Sequence, residues 1–290
     1  MKTIYVEKMR EEIRLGHLAL ATERPQEGEM VYYIPHHCIP KDNLIVYDAS
    51  CKTDKGLSLN DIQLLGPKLQ KDLHETIMRF RRHKIAIYAD IRKMFNQVGL
   101  AREQWNLQRI FWRENPFQRL QEYWLTVVTF GLTASPYVAV RSVLETARMA
   151  KGEFPIAAKA IEEDFYMDDC VTGSHTEKSA IKLAKEIDTV LKTAKFELRK
   201  WKSNSQAVVG AMESESEKTL LFSEGEGTTI LGLKWLIEED KFTFMVKNPK
   251  FEGVITKRRI VSHVAQLYDR NGYISPVTII GKIMIQELWK

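Results

Sequence analysis

Apolar and polar residues alternate over several short stretches of the chain. This predicts strands at VYYIPHH (31–37), LIVYDAS (44–50) and KIAIYAD (84–90), and at LQRIFWR (107–113) facing QEYWLTVVTF (121–130) across an ENPF turn. Helical patterns interleave with them. SLND at 58–61 has the form of a capping box, and Pro67 suits a first helical position ahead of Leu69, Leu73 and Ile77. Ser135 and Pro136 open a helix running to about Ala150. SHTE at 174–177 caps another, whose Ile181, Ala184, Ile187 and Leu191 form one apolar stripe suited to core packing. The acidic stretch ESESEKTLLFSEGEG (213–227) reads as a loop and a candidate boundary. After it, TTILGLKWLI and KFTFMV predict two strands joined by an EEDK turn. Helical patterns follow around 254–267 and 276–289, with DRNG as the turn between them and SPVT opening the last helix. Hairpins mixed with helices, without strict strand–helix–strand alternation, predict an α+β fold.

Composition narrows the class without naming an activity. The chain has 290 residues, 44% of them hydrophobic and 28% charged, enough for one large or two moderate domains with a sizeable core. Its 43 Lys and Arg exceed 38 Asp and Glu by five, which permits a polyanionic partner without demanding one. The positive charge concentrates in RFRRHK (79–84), KFELRKWK (195–202) and TKRR (256–259), clusters suited either to phosphate-backbone contact or to solvated helix ends and loops. Cys38, Cys51 and Cys170 are odd in number and carry no C-x-x-C pair, so neither a disulfide framework nor a zinc site is expected. The start of the chain lacks an apolar signal core, and the longest apolar-rich run (123–134) is too short and polar to span a bilayer. A cytoplasmic protein without a membrane anchor is the expectation, with the nucleus as the alternative compartment.

The chemistry concentrates in FYMDDCVT (165–172), where Asp168 and Asp169 lie side by side in an otherwise apolar and β-branched stretch. Read as a hairpin, the segment puts the pair at its turn. An Asp-Asp turn alone carries little meaning, so a second acidic position is required. KIAIYAD supplies it: Asp90 closes an apolar strand, where it would be exposed and rigidly placed, unless it serves only as an N-cap for IRKMFNQV. Two carboxylate-ended strands adjacent in one sheet would repel each other until hard cations intervened. Magnesium suits these oxygen donors better than zinc, because no His or Cys pair stands at ligand spacing. Two such ions roughly 3.5–4 Å apart can activate a hydroxyl and stabilise departing pyrophosphate.

YMDD at 166–169, with the Asp90 strand upstream, resembles motifs C and A of reverse transcriptases. VTFGLTASPYVA resembles motif B, FELRKWKSN (196–204) motif D, and ILGLKW (230–235) the primer grip. More narrowly, YYIPHHCIPK, VYDASCKTDKGLSLND, GPKLQKDL, RFRRHK, ADIRKMFNQV, FELRKWKSN and TKRRIVSHVAQLYDRNGYISPVT together resemble the Pol polyprotein of BEL/Pao-type LTR retrotransposons over essentially residues 5–290. The resemblance implies a right-hand polymerase fold, with fingers in roughly 1–89 interleaved with a palm through 237 and a partial thumb or connection over 238–290. It implies RNA-directed DNA synthesis from deoxynucleoside triphosphates on a primed RNA or DNA template, with two magnesium ions, or manganese in their place. Asp90, Asp168 and Asp169 would hold the metal. Lys200 would donate a proton to pyrophosphate, with Arg199 or Lys202 as alternative counterparts. The nucleotide would be met by the Ile91 main chain, by Phe95 as a steric gate against the ribose 2′-hydroxyl, by Phe130 and Gly131, by Met167 and by Lys41. Phe95 could instead be a core residue and Met167 a gap filler, and Ser135 and Pro136 simply a helix cap. Gly232, Leu233 and Trp235 would form the primer grip, with Trp235 equally suited to the core.

One departure stands out: where the family carries an Arg four residues before the aspartate of DAS, this chain has Leu44, and an aliphatic side chain does not replace a bidentate phosphate clamp. Lys41 could compensate as a point charge. No second carboxylate set of RNase H type, integrase zinc motif or protease D-[ST]-G is evident, so those modules are expected from other chains. Two rival readings are a catalytically decayed or domesticated nucleic-acid-binding relic of the same fold, and a two-metal nuclease or phosphohydrolase using the same carboxylates.

Overall fold

The computed structural model describes residues 2–39, 41, 44–212, 227–244, 254–266, 269 and 272–290. The acidic stretch expected as a boundary, the end of KFTFMV and the centre of DRNG lie outside the described residues, 227 and 269 excepted. The chain divides into two compact units, each assembled from separated segments.

The first unit comprises 1–70, 91–152 and 190–197. Helix α1 (Lys2–Arg14) is followed by strand β1 (Leu18–Leu20), the hairpin of β2 (His36–Ile39) and β3 (Leu44–Tyr47), and the expected hairpin of β5 (Arg109–Trp112) and β6 (Gln121–Leu125). β1 pairs antiparallel with β6, giving the order β1-β6-β5. Met9, Leu18, Ile34, Ile45, Tyr47, Leu59, Ile110 and Leu125 close the core between these elements. The capping box exists: Ser58 Oγ accepts from the Asp61 amide at 3.2 Å while the Asp61 carboxylate accepts from the Ser58 amide at 2.9 Å. It starts a single 3₁₀ turn, Asn60–Ile62. Helix α3 (Ser135–Ala150) begins where expected, with Pro136 in its first turn. The Ser135 hydroxyl is not a cap; it donates to the Thr129 carbonyl at 2.6 Å and so pins the loop ahead of the helix.

The second unit comprises 71–90, 153–189 and 198–290. Its four-stranded sheet has the order β7-β8-β4-β9, built from β7 (Phe165–Tyr166), β8 (Asp169–Ser174), β4 (Ile85–Ile91, its last residue falling in the first unit) and β9 (Leu198–Ser203). β4 is buried at Ala86, Ile87, Tyr88 and Ala89 in succession, the mark of a strand covered on both faces. Helix α2 (Leu73–Phe80) starts six residues beyond Pro67, because Asp72 supplies the cap, accepting from the His74 amide at 2.8 Å. Helices α4 (Pro155–Glu163), α5 (Glu177–Thr193) and α6 (Gln206–Met212) follow. The buried stripe of α5 runs through Ala180, Leu183, Ala184, Ile187 and Leu191, with Ile181 left at its half-buried margin.

TTILGLKWLI does not form one strand. It folds back as β10 (Thr228–Ile230) and β11 (Leu233–Leu236), which continue into β12 (Lys241–Thr243) as a three-stranded antiparallel sheet. Leu231 and Gly232 both take positive φ, 50° and 86°, the pair of left-handed residues that a two-residue hairpin turn requires. Phe80, Ala86, Tyr88, Val171, Ile230 and Trp235 form the core beneath. Helices Lys257–Ala265 and Ser275–Leu288 complete the unit. Among the described residues no helix is long and apolar enough to cross a membrane.

Candidate active site

β7 and β8 form the tight hairpin that FYMDDCVT predicts, with Met167 and Asp168 as the turn and Asp169 as the first residue of β8. Met167 turns the chain at φ 56° and is half-buried, so it is a turn residue and not a core filler. β8 then pairs antiparallel with β4 in a register that puts Asp90 directly opposite Asp169. Residues directly opposite in an antiparallel pair send their side chains to the same face. Three carboxylates separated by up to 79 positions are thereby brought to one end of one sheet. Asp90 is a strand residue. The 3₁₀ turn after it, Met94–Gln97, is preceded by Lys93 and has no side-chain cap, which removes the N-cap role.

The cluster carries its mutual repulsion visibly. Burial lifts the Asp169 carboxyl to about 6, with Asp168 and Asp90 adding to the rise and the Tyr88 hydroxyl opposing it. Burial likewise raises Asp168, with Asp90 contributing in the same direction. Two of the three carboxylates, Asp169 and Asp90, have side-chain partners. The Tyr88 hydroxyl donates to Asp169 at 2.8 Å. Arg199 Nε donates to Asp90 Oδ1 at 2.8 Å, and Lys200 Nζ approaches Oδ2 at 3.5 Å. With the side chains turned to these partners, no group of three or more His, Cys, Asp or Glu among the described residues is gathered to hold an ion. The donors nevertheless suit a hard divalent cation: all are carboxylate oxygens, two with raised affinity for protons in its absence.

Tyr88 and Arg199 are the residues that reading the sequence underrated. Tyr88 stands two positions before Asp90 and so shares its face, a period-two signal present in KIAIYAD. Arg199 lies closer to Asp90 than the favoured Lys200. Lys202 is engaged elsewhere, donating to Thr228 Oγ1 at 2.7 Å.

The nucleotide-site candidates of the other unit form their own group. Phe95 is half-buried and packs on Phe130 with ring centroids 4.6 Å apart, while neighbouring Met94 takes the core position. Gly131 does permit a close backbone approach, but the approaching group is the chain itself: a Cβ there would lie 2.3 Å from the Tyr47 carbonyl oxygen. Ile91 is buried at the last position of β4. Lys41 is exposed at the β2–β3 turn. Leu44 is 42% exposed and lines a cavity of about 100 Å³ with Lys8, Glu12, Tyr47, Lys93 and Phe130. Its two lysines are already paired, Lys8 with Glu11 at 2.7 Å and Lys93 with Glu11 and Glu12 at 3.0 and 3.2 Å.

The three primer-grip candidates separate. Gly232 is the turn residue of β10–β11. Leu233 is buried, and Trp235 is 0% exposed, edge-on to Phe80, with its indole N–H donating to Asp240 at 2.9 Å. Both therefore lie in the core beneath the hairpin.

Comparison with known proteins gives the family. Residues 41–254 match the family described as reverse transcriptase (RNA-dependent DNA polymerase), well over half of the chain. Residues 256–290, most of the segment expected as partial thumb or connection, match the Pao retrotransposon-like RNaseH-like domain. No curated protein matches the chain. Among solved structures, a foamy viral protease-reverse transcriptase with double-stranded DNA is 17% identical at a TM-score of 0.47, covering 64% of this chain and 28% of its own. The foamy viral enzyme with an RNA/DNA hybrid is 16% identical at 0.49, covering 66% and 22%. The native prototype foamy virus protein is 16% identical at 0.47, also covering 66% and 22%. The chain thus spans between a fifth and a third of the length of these proteins. On the family match across 41–254 and the Pao-type segment that follows it, the chain belongs to the reverse transcriptase family, of the BEL/Pao retrotransposon type.

Proposed function

We propose that the chain is an RNA-directed DNA polymerase that adds deoxynucleotides to a primer 3′-hydroxyl on an RNA or DNA template, with Asp90, Asp168 and Asp169 as its ion-binding carboxylates. The observation that carries this reading is the register setting Asp90 opposite Asp169, with Asp168 in the adjoining turn. Reverse transcriptases work with divalent metal ions. Two magnesium ions, or manganese in their place, match an all-oxygen donor set. When bound, such ions activate the attacking hydroxyl and neutralise charge on departing pyrophosphate.

The chain's own residues supply position and proton control. Tyr88 fixes the Asp169 carboxylate through its hydroxyl. Lys200, exposed beside Asp90, is the candidate proton donor to pyrophosphate. The Phe95 ring, braced by Phe130, is the gate that crowds a ribose 2′-hydroxyl. Residues 1–237 would supply fingers and palm, with affinity for primed template largely electrostatic and weakened by salt.

Primer extension on a homopolymer template tests the reading. Wild-type protein should incorporate deoxynucleotides, and Asp168→Asn should abolish incorporation while leaving circular dichroism unchanged. Normal extension by Asp168→Asn overturns the assignment. Primer-template binding by the wild type without incorporation selects the decayed relic, and ion-dependent cleavage without deoxynucleotides selects the nuclease.

A further inference from the structure

β9 does not keep the two-residue alternation of a regular strand. Its buried positions are Leu198, Trp201 and Ser203, three residues apart and then two, so one extra residue is accommodated between Leu198 and Trp201. The irregularity is absorbed at Lys200, whose φ of 55° lies in the left-handed region, which a residue with a Cβ enters only at a cost in strain. Irregularities of this kind re-aim side chains beside active sites. Arg199 and Lys200, which a regular strand would send to opposite faces, here both reach Asp90. Both charges are also felt by Asp168. Three carboxylates thus face two cations on one end of the sheet.

We infer that Arg199 is an internal counter-ion for Asp90, a positioning residue that occupies the carboxylate until a divalent cation displaces it, and so sets how readily the ion-free protein loads. This rests on reading Asp90, Asp168 and Asp169 as the ion-binding cluster. The Asp90 side chain is only 13% exposed, so once Arg199 leaves, water alone compensates the carboxylate poorly and another cation is needed. The Arg199 side chain is 36% exposed and has solvent to move into. A guanidinium and a divalent ion on the same carboxylate repel each other, so one excludes the other. Lys200, longer in its contact and more exposed, competes less.

The test is manganese binding to the full chain without nucleotide or nucleic acid, read from the electron paramagnetic resonance of free Mn²⁺. Arg199→Gln should bind Mn²⁺ at least about threefold tighter, the gain expected when one partly exposed ion pair no longer has to be broken. Arg199→Lys, which keeps the charge, should return toward wild type. A merely architectural Arg199 would change melting temperature without tightening the ion. Unchanged or weaker Mn²⁺ binding in Arg199→Gln overturns the inference. Should that variant not fold, Lys200→Gln decides, with a smaller tightening expected and any weakening overturning it. Asp90→Asn should lose Mn²⁺ binding; wild-type binding in that variant would remove the ion-binding reading itself, a failure distinct from that of Arg199.

Discussion

A methyl group at Gly131 would stand 2.3 Å from the Tyr47 carbonyl oxygen, on a backbone already at φ 92°. Both problems fall on backbone, where no side chain can swing away. Gly131→Ala should therefore cost about 2–4 kcal/mol, seen as a lower urea midpoint, and an unchanged midpoint would mean the loop can move. Phe95 presents the opposite case. Its ring is half-buried and touches Phe130 at the surface, so Phe95→Ala should leave stability little changed. If the ring is the gate, that variant should incorporate ribonucleotides markedly better relative to deoxynucleotides, and unchanged discrimination removes the role. Both residues were visible in the sequence as candidates, yet the sequence could not say what Gly131 approaches. Glycine reports that something comes close and is silent about the identity of the neighbour.

At the scale of elements, legibility followed the strength of the periodicity. KIAIYAD, FYMDDCVT and the 107–130 hairpin emerged because an unbroken apolar run or a tight turn leaves few alternatives. Helix α1 carries only Met9 fully buried, and β1 spans three residues, so neither leaves a pattern long enough to detect. TTILGLKWLI was read as one strand because Leu231 is apolar, whereas its positive φ makes it half of a turn. That turn is what buries Trp235 against Phe80. Trp235→Ala should cost about 3–5 kcal/mol, since it removes a fully buried aromatic together with the hydrogen bond from its indole to Asp240. Melting curves check this. Loss of extension at full stability would instead favour direct primer contact.

For the molecule as a whole, acid stability offers a check on how α1 is held. Hydrogen bonds from Lys8 and then Lys93 pull the Glu11 carboxyl from its ordinary value down to about 2. A carboxylate lowered in the folded state stabilises it above the ordinary value of 4.5, and that contribution fades as the pH falls toward 2. The difference in melting temperature between wild type and Glu11→Gln should be full at pH 7 and shrink steadily below pH 4.5; a difference that persists undiminished at pH 2 rules out the ionised carboxylate as its source. The fold class and the three carboxylates could be read from the chain because each lies on a strong local pattern. The division into two units of interleaved segments could not, since it depends on pairings between distant stretches. One of those pairings has a practical consequence. Cys170 sits in β8 opposite Ala89 of β4, fully buried, with its thiol pushed up by burial, whereas Cys51 is exposed. An alkylating reagent will reach Cys51 at once but Cys170 only when the two central strands part, so the slow labelling step is a clock for the breathing of the four-stranded sheet.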